Sequence, residues 1–181
     1  MKNMALHILD ITENSLRAKA SCINISIKES ISDNIYSLII EDNGDGIPNE
    51  LINSVTDPFT TTRITRKIGL GLPLLKQHAE SCGGFLKIQS KPDQGCRVEA
   101  TFRNDHIDKP PSGDIPGVIR ILTSCNPSVK IVYTHITDSG QFKFDSELVK
   151  SEIGETEFRN PLIQKYMKEM IHENLIEINA S

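Results

Sequence analysis

Ile40-Glu41-Asp42-Asn43-Gly44-Asp45-Gly46-Ile47-Pro48 decides how the rest of the chain is read. An apolar run from Tyr36 to Ile40 ends there in carboxylates and then in two alternating glycines, so a strand stops and a loop begins. Without a Cβ, Gly44 and Gly46 let the backbone turn through positive φ and come close to a ligand, while Asp42 offers a fixed acceptor at the strand end. That arrangement suits a buried base with an exocyclic amine. A calcium loop of the helix–loop–helix kind would need oxygen ligands running on to a glutamate at its twelfth position. Here Asp57-Pro58-Phe59-Thr60-Thr61-Thr62 follows instead, and the flanks also argue against a mere polar turn.

Those flanks supply two more boxes. Upstream, Leu9-Asp10-Ile11-Thr12-Glu13-Asn14-Ser15-Leu16 lies in a helical pattern. Downstream, Asp57-Pro58-Phe59-Thr60-Thr61-Thr62-Arg63 leads to Gly69-Leu70-Gly71-Leu72. Three boxes in this order, within residues 1–103, resemble the ATP-binding domain of the gyrase, chaperone, histidine-kinase and MutL superfamily (the Bergerat ATP fold), and among its members a histidine-kinase catalytic domain. The resemblance implies an α/β sandwich, a mixed sheet with a helix layer, that binds ATP with magnesium. It implies nucleotide contacts from Asn14, Asp42, Gly44, Gly46, Ile47, Thr62, Arg63, Lys67, Gly69, Leu70, Gly71, Leu72 and Cys96.

In the order of the chain, Asn3 is placed to cap a helix to about Ala20, with Leu6, Leu9, Thr12 and Leu16 along one face. His7, Asp10, Asn14 and Arg17 recur at spacings of three, four and three and form a second, polar stripe. In the superfamily the helix asparagine, here Asn14, ligates the magnesium that bridges the phosphates; a hard cation takes an amide oxygen. Hydrolysing members carry a glutamate one turn earlier to polarise water, and histidine-kinase domains usually an asparagine; this chain has Asp10, one methylene short of glutamate. Asp10 is thus the first candidate for a base. Glu13, about 100° around the helix from Asn14, is the second. His7 is read as structural rather than as a phosphoacceptor.

Alternation marks strands over 21–28 and 35–42, a hairpin that delivers Asp42. A short helix over 49–54 precedes a lid over 55–68, which has no hydrophobic periodicity but has Pro58, three threonines and the cations Arg63, Arg66 and Lys67. Those cations can meet the outer phosphates. The glycine loop 69–71 feeds a helix to Cys82, whose N-terminus presents free N–H groups to phosphate. Two departures from the kinase pattern stand out: Lys67 where a glycine is usual, and Asp93-Gln94-Gly95-Cys96 where the pattern has Gly-x-Gly-Thr. Cys96 is a weaker hydrogen-bond donor than threonine.

Strands over 85–90 and 95–102 complete this part, and the stretch 104–112, with Pro110-Pro111, reads as a linker. Residues 113–181 read as a small αββα annex: a helix capped by Asp114, a hairpin over 129–145, and helices over 146–153 and 161–175. The annex shows no catalytic spacing and is expected to dock a partner or cover the first domain, with an apolar patch on Ile131, Tyr133, Phe142 and Phe144.

Composition bounds the function. Residues 1–103 carry 12 acidic and 12 basic side chains and residues 104–181 carry 12 and 8, so the whole surplus of four lies in the second part. No basic stripe invites nucleic acid, and no apolar run approaches the ~20 residues of a membrane span. Four scattered cysteines without a Cys-x-x-Cys pair argue against zinc, and with no leader pattern the expected compartment is the cytoplasm. None of the five histidines has the usual phosphoacceptor context. Three readings follow: a slow ATPase or kinase acting in trans on a protein partner or a second copy, an anti-sigma-type serine kinase, or a nucleotide-sensing module without chemistry.

Overall fold

In the computed structural model, which describes residues 2–52, 54–56 and 71–181, six strands form one mixed sheet in the order β3-β4-β2-β1-β5-β6. Helix α1 (Met4–Arg17) leads into the antiparallel hairpin β1 (Cys22–Ser30) and β2 (Ile35–Asp42). The short α2 (Asn49–Ile52) and a 3₁₀ turn at 54–56 follow, then α3 (Gly71–Ser81), β3 (Leu86–Ser90) and β4 (Cys96–Arg103). The second part runs α4 (Ile115–Cys125), β5 (Lys130–Thr137), β6 (Gly140–Asp145), α5 (Ser146–Ile153) and α6 (Pro161–Glu177). This is the expected α/β sandwich.

Alternation along the strands makes one face of the sheet apolar. Ile23, Ile25 and Ile27 of β1, Tyr36, Leu38 and Ile40 of β2, and Val98, Ala100 and Phe102 of β4 are buried, while Asn24, Lys28 and Glu99 point the other way. Helices cover the apolar face with Ile8 and Ile11 of α1, Leu75 and Ala79 of α3, Ile119 and Leu122 of α4, and Met167 and Ile171 of α6. On the opposite face Arg97 bridges Glu41 and Glu99 across neighbouring strands.

The inward side of α1 matches the expected face only in part: Thr12 is buried and Leu9 and Leu16 pack against the core. Met4, Ile8, Ile11 and Ser15 face the sheet, and Leu6 is 41% exposed. Both stripes have helical period; the inward one wins because it joins isoleucines to a serine that finds a partner on β2. Asn3 caps the helix as expected, accepting from the Leu6 N–H at 2.9 Å.

Residues 113–181 share this sheet and core. Strand β5 pairs in parallel with β1, from Cys22 opposite Lys130 to Lys28 opposite Ile136. The stretch 104–112 is tied to the start of α1, where the Met4 and Ala5 N–H groups donate to the carbonyls of Pro111 and Ser112. Asp138, in the β5–β6 turn, accepts from the Ser30 hydroxyl and the Ile31 N–H in the β1–β2 turn. Ile131, Tyr133 and Phe144 are therefore core residues and do not form the exposed patch expected of them. A buried polar chain crosses the same seam: the Tyr133 hydroxyl meets His135 Nδ1 at 2.5 Å, and His135 Nε2 meets Glu29 at 2.8 Å. The Ser181 N–H also donates to the Glu29 carboxylate. Among the described residues no helix is long and apolar enough to cross a membrane.

Candidate nucleotide-binding site

Between the C-terminal half of α1, the end of β2 and the start of α3 lies a cavity of about 310 Å³. Ile11, Asn14, Asp42, Ile47, Leu72 and Cys96 are among its walls. A second hollow, of about 380 Å³, opens behind it between the charged side chains of Glu41, Lys91 and Arg97. The first holds the candidate residues on apolar walls, as small-molecule sites do.

Asp42 is held at both oxygens. Ser15 Oγ donates to Oδ2 at 2.5 Å and the Gly44 N–H to Oδ1 at 2.9 Å. Its neighbour Asn43 turns away, and its side-chain oxygen accepts from the N–H groups of Ser21 and Cys22 at 2.9 Å, fixing the start of β1. The glycines beyond serve the packing of the loop. Gly46 has φ +71°, and a Cβ there would lie 2.1 Å from the Lys91 carbonyl; one on Gly44 would lie 2.5 Å from that of Ala18. Cys96 stands opposite Asp42 in the ladder, and burial, reinforced by the Asp42 charge, pushes its thiol up to about 11, so it is neutral. Ser90, absent from the sequence reading, braces the floor: its hydroxyl accepts from the Ile47 N–H at 2.8 Å and donates to the Gly95 carbonyl at 2.7 Å. A lone serine at a strand end carries no pattern that would single it out.

On α1, Asn14 Nδ2 is buried without a hydrogen-bond partner, while Oδ1 accepts from Arg17 at 3.3 Å. One turn earlier Asp10 Oδ2 is likewise buried and unpaired. Burial raises the Asp10 pKa, and the negative charge of Glu13 adds to the rise. Its carboxylate fills the space above Gly71, where a Cβ would lie 1.7 Å from Oδ2. Glu13 is half exposed, paired with Arg17 at 3.2 Å, and outside the cavity walls. His7 is buried against α3, with Nε2 3.0 Å from His78 Nδ1.

The fold thus brings Asn14, Asp42, Gly46, Ile47, Leu72 and Cys96 to one cavity, sets Asp10 against Gly71 beside it, and leaves Gly44 behind the loop and Glu13 outside. Thr62, Arg63, Lys67, Gly69 and Leu70, with most of the expected lid, lie outside the described residues.

A strand-end aspartate and a helix asparagine facing one apolar cavity, on a mixed sheet with a helix layer, define a nucleotide-binding α/β sandwich. Residues 3–106 match the family described as Histidine kinase-, DNA gyrase B-, and HSP90-like ATPase, and the chain belongs to it. It is a histidine-kinase-like ATP-binding domain. A putative NtrY-like sensor histidine kinase of Rickettsia conorii is 28% identical over 108 residues, 60% of this chain and 18% of that protein. The alginate biosynthesis sensor protein KinB of Pseudomonas aeruginosa is 32% identical over 91 residues, 49% of this chain and 15% of that one. The chain spans less than a fifth of the length of these relatives. The Aquifex aeolicus MutL ATPase domain, solved with ADP, superposes with a TM-score of 0.51 at 16% identity, covering 86% of this chain and 68% of that one. The N-terminal domain of a DNA repair protein gives 0.55 at 17% identity, covering 80% and 52%. These two likenesses bear on the fold alone.

Proposed function

We propose that the protein binds ATP with magnesium in the α1–β2–α3 cavity and acts as a slow ATPase or kinase on a protein partner in trans, in the cytoplasm. The observation that carries this reading is the Asp42 carboxylate, aimed by Ser15 and Gly44 into a cavity that also receives Asn14. Asp42 accepts the exocyclic amine of adenine, with Ile47, Leu72 and Val98 against the faces of the base. Thr62, Arg63, Lys67, Gly69 and Leu70 precede α3 in sequence and are assigned to the phosphates.

Magnesium fits the residues present. Among the described residues no three His, Cys, Asp or Glu side chains cluster into a cage for an ion. A single amide oxygen from Asn14 suits an ion that keeps its waters and takes its other ligands from phosphates. Bound there, the ion would neutralise charge on the outer phosphates. Asp10, with its pKa raised by burial, serves as the base that takes a proton from the attacking water or acceptor hydroxyl. One observation favours a second reading, a nucleotide sensor without turnover: Asp10 is short and packed against Gly71 beside the cavity rather than lining it.

Calorimetry and a phosphate-release assay test both. Asp42→Asn turns a donor toward the adenine amine and should weaken Mg-ATP binding by about 2–3 kcal/mol. Asp10→Asn should leave affinity nearly intact while lowering turnover. Equal ATP affinity of wild type and Asp42→Asn refutes the site; turnover undiminished in Asp10→Asn refutes the base.

A further inference from the structure

The last helix is apolar on two opposite sides. Met167, Ile171 and Leu175 of α6 are buried against the core. Leu162, Tyr166 and Met170, at spacings of four, and Ile176, fourteen positions beyond Leu162, face away from it and are 55%, 58%, 38% and 60% exposed. A globular domain has no use for a second apolar stripe on a surface helix, because one stripe suffices to bury it. The four side chains expose on the order of 400 Å² together, within the range of the largest apolar patch on a typical monomer, which is often functional.

The charges around the stripe select its occupant. Glu169, Glu173 and Glu177 interleave with the apolar residues on the same side of α6. The two lysines of the helix are already engaged, Lys165 with Glu169 at 3.7 Å and Lys168 with Asp114 at 2.6 Å. Neither Glu173 nor Glu177 has an ion-pair partner among the described residues. A second copy is a poor occupant: two-fold pairing of this face sets three glutamates against three.

We propose that the exposed face of α6 docks an amphipathic helix of a partner protein whose apolar stripe is flanked by lysine or arginine. It rests on the reading that the chain acts on a partner in trans, and it names that partner's chemistry. Apolar anchors at i, i+4 and i+8 are the spacing by which a helix lies along a helix, and the glutamate rim supplies register and rejects acidic helices.

The full chain is titrated with two fluorescein-labelled synthetic helices that share one leucine stripe, one flanked by lysines and one by glutamates. The lysine-flanked helix should bind and the glutamate-flanked one should not. Tyr166→Ser with Met170→Ser, and separately Glu173→Lys with Glu177→Lys, should each weaken binding at least about tenfold. Glu147→Lys, on α5, should change nothing. Equal affinity of all variants, or equal binding of both helices, overturns the proposal. So does a dimer in sedimentation velocity that the Tyr166→Ser, Met170→Ser variant dissociates, which would give the face to a second copy. Each variant is also titrated with Mg-ATP: absent nucleotide binding by the wild type refutes the functional reading, whereas lost discrimination between the helices refutes only the docking surface.

Discussion

At the scale of single residues, Ser15 is the position that the motifs pass over. It follows Asn14 in the helix box, and its hydroxyl reaches across 27 positions of sequence to the Asp42 carboxylate. A local pattern cannot display such a contact; Asn14 is legible from its place on the polar stripe of the helix box, and Asp42, Ile47, Leu72 and Cys96 because each sits within or beside a glycine box. Removing a hydrogen bond to a charged acceptor should weaken ATP binding by about tenfold in Ser15→Ala, with little change in melting temperature. Calorimetry beside a thermal melt checks it; unchanged affinity would show that Gly44 alone aims the carboxylate. His7 offers a second test. Burial, with His78 adding to it, lowers its pKa from 6.5 to about 4. The unfolded chain therefore binds the extra proton between those values, so this contribution is whole above pH 6.5 and is lost as pH falls toward 4. It amounts to about 3 kcal/mol, and the lowered His78 pKa acts in the same direction. Glu29, Asp114 and Asp145, whose pKa values are depressed, also lose stability on acidification. The check is thus a difference: urea midpoints of His7→Gln should fall less steeply between pH 6.5 and 4 than those of wild type.

At the scale of elements, the strands and helices stand within a few residues of where alternation, caps and glycines place them. Strand β2 covers 35–42 as read, and Asp114 and Asn3 cap the helices assigned to them. Two element-level readings needed the structure. The fully buried stripe of α1 could not be chosen from periodicity, since Leu6–Leu9–Thr12–Leu16 and Met4–Ile8–Ile11–Ser15 both satisfy it and only Thr12 of the first is fully buried. The glycines of the β2 loop were legible as necessary, Gly46 for the positive φ it does adopt, but the close approach of the β3–β4 turn to Gly46 and of the Ala18 carbonyl to Gly44 was not legible. Gly46→Ala would force a left-handed φ on alanine and press its Cβ on the Lys91 carbonyl, so it should destabilise the fold by about 2 kcal/mol or more. A chemical-denaturation midpoint within error of wild type would show that the turn yields instead.

At the scale of the whole molecule, what the sequence left hidden is the junction of its two parts. Composition and the proline-rich stretch 104–112 suggest a boundary, yet β5 and β6 continue the sheet, because pairing between strands more than a hundred residues apart has no local signature. Truncation after Asp105 removes the neighbour of β1 along with Ile119, Leu122, Ile131, Tyr133 and Phe144 from the core. The shortened chain should be poorly soluble and lack a cooperative melt; a soluble fragment with native-like amide dispersion by NMR would show that residues 1–105 stand alone.

The parallel β1–β5 pair also sets the order of events during synthesis. Lys130, the partner of Cys22, leaves the ribosome about a hundred residues later, which at ~5–20 residues per second takes several seconds or more. Through that interval the nascent β1 shows an unpaired isoleucine-rich edge, the kind of template on which other chains can add. Overexpression at reduced temperature, or together with a holdase chaperone, should therefore raise the soluble yield of the full chain.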